Sequence, residues 1–282
     1  MNRYAGPCRS VLYIPGSKPR ALEKAQTLAT DAIIFDLEDA VAPDEKDSAR
    51  DTLAHALESS DFGPRLRIVR INGFETEWGD ADLRMLASTL HDAVLLPKVD
   101  TEETIARARR SLGEAAKIWA MMETPRGILN AAALAQAPGV EGFVMGTNDL
   151  AKELGARGRA AMVTSLQHCL LAARAHGLIC VDGVYNAFKD EDGLRAECLD
   201  GRDMGFDGKT LIHPAQLAIA NEVFGPSAAD LDMARRQIEA YAQAKASGQG
   251  VAVVDGKIVE NLHVETAERL LRQAEVIAQM EG

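Results

Sequence analysis

The chain has 282 residues, 47% of them apolar and 26% charged, with a formal charge of −11 and a pI near 5.1. That length suits an α/β barrel better than a smaller single domain, and the acidic balance argues against nucleic acid or an anionic membrane as partner, since both require a basic face. No apolar run approaches the roughly 18 residues of a membrane span, no signal peptide is evident, and Cys8, Cys169, Cys180 and Cys198 lack paired spacing, so a cytoplasmic protein with free thiols is expected.

Short β-rich runs recur at residues 11–14, 32–35, 67–70, 93–96, 118–122, 142–145, 178–181 and 208–211, with helix-like sequence between them. Most of the runs are continuously apolar rather than alternating, the pattern of parallel strands covered on both faces. Eight such units predict a (β/α)8 TIM barrel over residues 1–224. An open doubly wound sheet is the alternative, disfavoured because no GxGxxG follows the first strand.

A barrel keeps its chemistry on the loops after the strands. The strand ends carry Ser17, Lys18 and Arg20 after the first run, Asp36, Glu38 and Asp39 after the second, and Arg70 and Asn72 at the end of the third. Lys98, Glu123, Gly146-Thr147-Asn148-Asp149, Asp182-Gly183 and His213-Pro214 follow the remaining five. A ring of carboxylates interspersed with arginines and lysines is thus predicted around one mouth.

The stretch 118–150 is the most informative. Two parallel strands joined by a crossover set their C-terminal ends side by side, so Glu123 and Asp149 meet in space. Paired carboxylates of this kind either share a cation, for which Mg²⁺ is the natural choice, or are solvated loop acids. Residues 124–138 between them predict a turn and an Ala/Leu-rich helix. Arg70 either pairs with Asp36 or Glu38 in a structural ion pair or grips a substrate carboxylate bidentately. Asp36, Glu38 and Asp39 are expected to support the arginine or metal-bound water.

Lys98 is either a desolvated amine nucleophile or a charge partner, and Lys18, Arg20 and Lys24 form either a phosphate cluster or a solvated helix face. His213 receives no role, and neither HExxH nor GxSxG occurs. Residues 225–282 exceed the eight units. Ser227 is read as the N-cap of a helix running to about residue 247, Asp255-Gly256 as a hairpin turn, and 264–280 as a closing helix, together forming a lid or an oligomer contact.

The segments RSVLYIPGSKPRALEKA, DAIIFDLEDAVAPDEKDSAR, RIVRINGFETEWGDADL, LLPKV, METPRGILNA, GTNDLAKELG and GFDGKTLIHPAQ, with the tail DGKIVENLHVETA, resemble the citrate lyase β-subunit-like family of CoA-ester enzymes in the HpcH/HpaI aldolase superfamily. The likeness spans nearly the whole chain in order. It implies a TIM barrel whose C-terminal extension covers the mouth of a neighbouring subunit, in a homotrimer or hexamer. It also implies Mg²⁺, with Mn²⁺ as an alternative, held by Glu123 and Asp149. Arg70 then holds the substrate carboxylate, Gly146, Thr147, Asn148 and Asp149 receive it on backbone amides, and Ser17, Lys18 and Arg20 approach CoA.

DGVYNAFKDEDGLRAEC and the ENLHV tail look most like the thioesterase branch, which implies Mg²⁺-dependent hydrolysis of (3S)-malyl-CoA to malate and CoA. The alternatives are a C–C lyase acting on malyl-, β-methylmalyl- or citramalyl-CoA and a citrate lyase β subunit in a multi-enzyme complex. Many lyases of the family carry M-I-D in the tail, its aspartate supplied to a neighbouring subunit as acid/base. Here Ile258-Val259-Glu260 stands in that place, one methylene longer, and Glu260 is the leading candidate to activate water. A displacement of that size is enough to cost about a hundredfold in rate.

Overall fold

The computed structural model describes residues 6–281. Eight parallel strands close into a barrel: β1 (Ser10–Pro15), β2 (Ala32–Asp36), β3 (Leu66–Arg70), β4 (Ala93–Leu96), β5 (Ile118–Met122), β6 (Val140–Met145), β7 (Ile179–Asp182) and β8 (Gly208–Leu211). β1 pairs with both β2 and β8, which closes the ring. The TIM-barrel expectation holds, and each strand lies within one or two residues of its run in the sequence.

Around the barrel run α1 (Pro19–Ala25), α2 (Lys46–Ser59), α3 (Gly79–Leu86), α4 (Glu102–Leu112), α5 (Pro125–Leu129), α6 (Ala131–Gln136), α7 (Thr147–Leu154), α8 (Val163–His176), α9 (Glu191–Met204) and α10 (Leu217–Phe224). The single helix expected over 124–138 is two short ones. They meet at Asn130 (φ −92°, ψ 4°), whose amide is drawn aside to donate to the Asp100 carbonyl at 2.8 Å. Thr124 caps α5 by accepting the Gly127 N–H, and Pro125 fills a first-turn position where no donor is needed.

The apolar side chains form two layers. Val11, Ile34, Ile68, Met121, Val144 and Val181 point into the barrel, whereas Leu12, Phe35, Val69, Phe143, Cys180 and Leu211 face the helices. Strand side chains alternate, so the residue two places beyond an inward one also faces inward. Tyr13 follows Val11 in this way, Asp36 follows Ile34, Arg70 follows Ile68, and Glu123 follows Met121. The polar side chains of the mouth therefore continue the barrel's own inner rows.

After the barrel come α11 (Ala228–Ala246), the hairpin strands β9 (Ala252–Val254) and β10 (Lys257–Val259), and α12 (Asn261–Glu281). Ser227 and Asp230 cap α11 reciprocally, and Asp255 (φ 49°) and Gly256 (φ 74°) make the left-handed pair of the hairpin turn. Ala252, Val254 and Val259 pack against Ala244 of α11 in a small core of their own. At the other end of the pair, Glu281 meets Arg9 at 3.0 Å, beneath the entry of β1. Arg9 is also held by a fork to Asp31. Among the described residues no helix is long and apolar enough to cross a membrane. All four cysteines are buried and free.

Candidate active site

A cavity of about 350 Å³ opens at the C-terminal ends of the strands. Tyr13, Asp36, Asp39, Arg70, Glu123 and the 146–149 turn supply its polar wall, and Met121, Met145, Val184 and Ile212 its apolar one.

Arg70 is 7% exposed and locked from one side. Its Nε donates to Asp36 Oδ1 at 2.7 Å and its Nη2 to Asp36 Oδ2 at 2.6 Å, and those two oxygens also accept the backbone N–H groups of Glu38 and Ala40. Its Nη1 donates to Asp39 Oδ2 at 3.3 Å. The guanidinium carbon stands 5.0 Å from the centre of the Tyr13 ring. Burial pulls the Arg70 pKa down, but Asp36, Tyr13 and Glu38 outweigh it, and the group stays a cation. The structural ion pair with Asp36 is therefore formed, yet both Nη atoms keep an N–H beyond these bonds, beside the cavity.

Glu38 Oε2 lies 2.9 Å from Arg70 Nη1 as an ion pair, and this buried oxygen has no hydrogen-bond partner. Burial pushes the Glu38 carboxyl up to about 8, with Asp39, Glu123 and Asp36 adding to the rise against the pull of Arg70. Its loop is fixed from below. Lys46 donates to the Leu37 and Glu38 carbonyls at 2.8 and 2.7 Å, and Asn72 donates to Leu37 and to Asp82.

Glu123 is 4% exposed, and its Oε1 accepts the Lys98 N–H at 2.8 Å. Lys98 holds φ 48°, a left-handed conformation unusual for a residue with a side chain. Burial lifts the Glu123 carboxyl to about 7, with Asp149 adding to the rise and the Lys98 N–H and Arg70 opposing it. Gly146 packs so closely that a Cβ there would overlap Glu123 Oε2. Asp149 lies in the first turn of α7, which starts at Thr147; Gly146 precedes it as N-cap. Thr147 sits in turn against Gly183.

A divalent cation fits this donor set. Two carboxylates border one space, one of them buried and driven toward its protonated form partly by the other, and a cation between them removes that conflict. Among the described residues no group of three or more His, Cys, Asp or Glu side chains converges, so water and substrate oxygens would complete the shell of an ion such as Mg²⁺.

Asp182 departs from the ring expected at the mouth. Asp182 is buried but turned outward with Cys180, where it pairs with Lys209 at 3.0 Å and Arg159 at 2.9 Å; it belongs to a buried network under α9, not to the mouth. Lys98 is not a desolvated nucleophile. Partial burial lowers its pKa, but Glu38, Asp149, Glu123 and Asp39 outweigh this and raise it, so the amine stays charged. Ser17, Lys18 and Arg20 stay outside the cavity lining. Lys18 pairs with Glu45 at 3.3 Å, and the buried Ser17 Oγ has no hydrogen-bond partner.

Glu260 is exposed at the start of α12, with its backbone N–H donating to His263 Nδ1. A helix of this length places it about 30 Å from the Glu281 end, and it does not line the cavity of its own chain. His213 accepts the Ala215 N–H and stacks on Phe188 with centroids 4.6 Å apart. Tyr13, Met121, Val184, Thr210 and Ile212 also line the cavity and belong to no catalytic or metal-ligand motif in the sequence. The signal for Tyr13 and Met121 is alternation, each lying two residues from another inward position.

A closed parallel barrel with a buried arginine and carboxylates grouped at the C-terminal ends of its strands has the architecture of a TIM-barrel enzyme. Residues 9–214 match the HpcH/HpaI aldolase/citrate lyase family, and the chain belongs to it. It is 64% identical to a (3S)-malyl-CoA thioesterase of Cereibacter sphaeroides over 281 residues, covering 99% of this chain and 98% of that one. An L-malyl-CoA/beta-methylmalyl-CoA lyase of Rhodobacter capsulatus is 33% identical, with 95% of each chain covered. The crystal structure of the protein CitE from Mycobacterium tuberculosis, in complex with magnesium, acetoacetate and coenzyme A, superposes with a TM-score of 0.81 at 32% identity, covering 97% of this chain and 100% of that one.

Proposed function

We propose that this chain hydrolyses (3S)-malyl-CoA to (S)-malate and CoA in a Mg²⁺-dependent reaction. The observation that carries the reading is Arg70, clamped by Asp36 with N–H groups left beside a cavity that Glu123 and Asp149 also line, in a chain 64% identical to (3S)-malyl-CoA thioesterases. Arg70 binds the malyl carboxylate, and the backbone amides at the start of α7 take up its remaining charge. Met121, Met145, Val184 and Ile212 shield the carbon chain from bulk water.

Glu123 and Asp149 would hold Mg²⁺, or Mn²⁺ in its place, and the ion would neutralise the carboxylate and hydroxyl oxygens of the substrate. The base that activates water is either Glu260 delivered by a second copy or a carboxylate of the same chain. A cytoplasmic homotrimer or hexamer, built from a barrel of residues 1–224 and an extension of residues 225–282 that caps a neighbour's mouth, completes this reading. The position of Glu260 at the far end of α12 supports it.

A second reading is C–C cleavage to an acyl-CoA and glyoxylate or pyruvate, favoured by the likeness to the lyase of R. capsulatus. The two are separated by incubating the protein with Mg²⁺ and (3S)-malyl-CoA while following free thiol, acetyl-CoA and glyoxylate. Thiol and malate without glyoxylate establish the hydrolase. Equal amounts of acetyl-CoA and glyoxylate overturn it.

A further inference from the structure

Hydrolysis of a thioester calls for a general base, and a carboxylate in that role needs an unoccupied oxygen, access to water and a place beside the acyl group. Four carboxylates line the cavity: Asp36, Asp39, Glu123 and Asp149. Asp36 is 1% exposed, and each of its oxygens already accepts one backbone N–H and one arginine N–H. Its lone pairs are taken. Glu123 and Asp149 are the candidate cation ligands. Asp39 differs from all three: its side chain is 68% exposed at the rim, and its one hydrogen bond to a side chain is the long one, 3.3 Å, from Arg70 Nη1 to Oδ2.

Resting on the hydrolase reading above, we propose that Asp39 is the general base of the reaction, supplied by the same barrel that binds the substrate. Its bond to Arg70 sets its distance from the substrate. In malyl-CoA a single CH(OH)–CH₂ unit separates the carboxylate from the thioester carbonyl. In this proposal the carboxylate gripped by Arg70 leaves the carbonyl toward the rim, where Asp39 is 68% exposed and bonded to Arg70 Nη1. Arg70 has a second effect there, offsetting the repulsion between Asp39 and the anionic substrate.

The step balances without a co-reactant. Asp39 takes a proton from water as the water oxygen bonds to the thioester carbon and the carbonyl electrons move onto oxygen. When that oxyanion collapses, the C–S bond breaks, the sulfur leaves with the electron pair, and Asp39 returns the proton to it as CoA thiol. The new carboxylic acid then ionises to solvent. Water reaches the exposed oxygen of Asp39 from outside, so the base acts without any group from another copy of the chain.

The test measures thiol release by wild type, Asp39→Asn, Asp39→Glu and Glu260→Gln, with Mg²⁺ affinity determined by calorimetry for each. Loss of a positioned base lowers kcat by about a hundredfold or more. Asp39→Asn is therefore expected to lose about that much kcat with KM and Mg²⁺ affinity within about threefold of wild type, and Asp39→Glu to recover part of it. A kcat for Asp39→Asn within about threefold of wild type overturns the assignment, as does a loss confined to KM, which marks Asp39 as a support for Arg70 alone. If hydrolysis instead disappears in Glu260→Gln and survives in Asp39→Asn, the base comes from a second copy. Failure of the hydrolase reading itself is seen in the wild type, as glyoxylate without free thiol, before any variant is compared.

Discussion

Arg70 spends its Nε–Nη2 edge on Asp36, so what remains for substrate depends on the planar fork and not on charge alone. Arg70→Lys keeps the charge and loses the fork, and kcat/KM should fall by about 30-fold, equivalent to about 2 kcal/mol. A variant within about threefold of wild type would show that the carboxylate is held elsewhere. Glu123→Ala and Asp149→Ala should each abolish Mg²⁺ binding in calorimetry; unchanged affinity in both removes the cation site. Glu38 makes a prediction about stability. Its carboxyl stands at about 8 in the folded protein against an ordinary value of 4.5, so between those two values the unfolded chain has released a proton that the folded chain retains. Stability from this group is full below 4.5 and is lost as pH rises toward 8. Metal-free Glu38→Gln should therefore gain Tm over wild type progressively from about pH 5 to about pH 8, and a gap independent of pH would refute the burial argument.

The strand ends and the start of α7 act as one piece, because Glu123 at the end of β5 lies directly against Gly146 at the end of β6. Gly146 (φ −92°) has a backbone that alanine adopts freely, so Gly146→Ala tests contact and not conformation. Overpacking at this point should cost about 1–3 kcal/mol of stability and more than about tenfold in Mg²⁺ affinity, read by calorimetry and thermal melts. A variant with wild-type affinity would mean that Glu123 has room to spare. The same elements explain what the sequence made legible. The eight β-rich runs mark the strands, and the residues at their ends or in the turns that follow include Arg70, Glu123 and Asp149, because in a barrel position along the strand decides which residues reach the mouth. Rotation about the strand was harder to read. Both faces are buried, so hydrophobicity does not distinguish inner from outer, and Asp182 looked equivalent to Glu123 until Cys180 and Val181 fixed which way it turns. Lys46, Asn72 and Asp82 were hidden for another reason: their role beneath the Glu38 loop rests on contacts between segments remote in sequence.

The whole molecule carries a surface that one copy of the barrel leaves uncovered. Val253 and Ile258 are cross-strand partners on the outer face of the β9–β10 hairpin, 65% and 62% exposed, and Leu262 at the start of α12 is 58% exposed beside them. Glu260 lies between Ile258 and Leu262 in the chain, at the end of the extension remote from the Arg9–Glu281 contact. In the proposed trimer this apolar tip would press on the neighbouring copy and carry Glu260 with it, and burial of two large aliphatic side chains would supply about 1.5–3 kcal/mol each. The double variant Val253→Asp, Ile258→Asp should therefore run as a 30.3 kDa monomer in light scattering while circular dichroism reports an intact barrel, since the residues beneath it, Val254 and Val259, keep their packing on α11. An unchanged assembly would place the subunit contact elsewhere. If the variant becomes monomeric and still releases CoA from (3S)-malyl-CoA, a single barrel holds everything hydrolysis requires, and Glu260 is left with the neighbour-dependent chemistry of carbon–carbon cleavage.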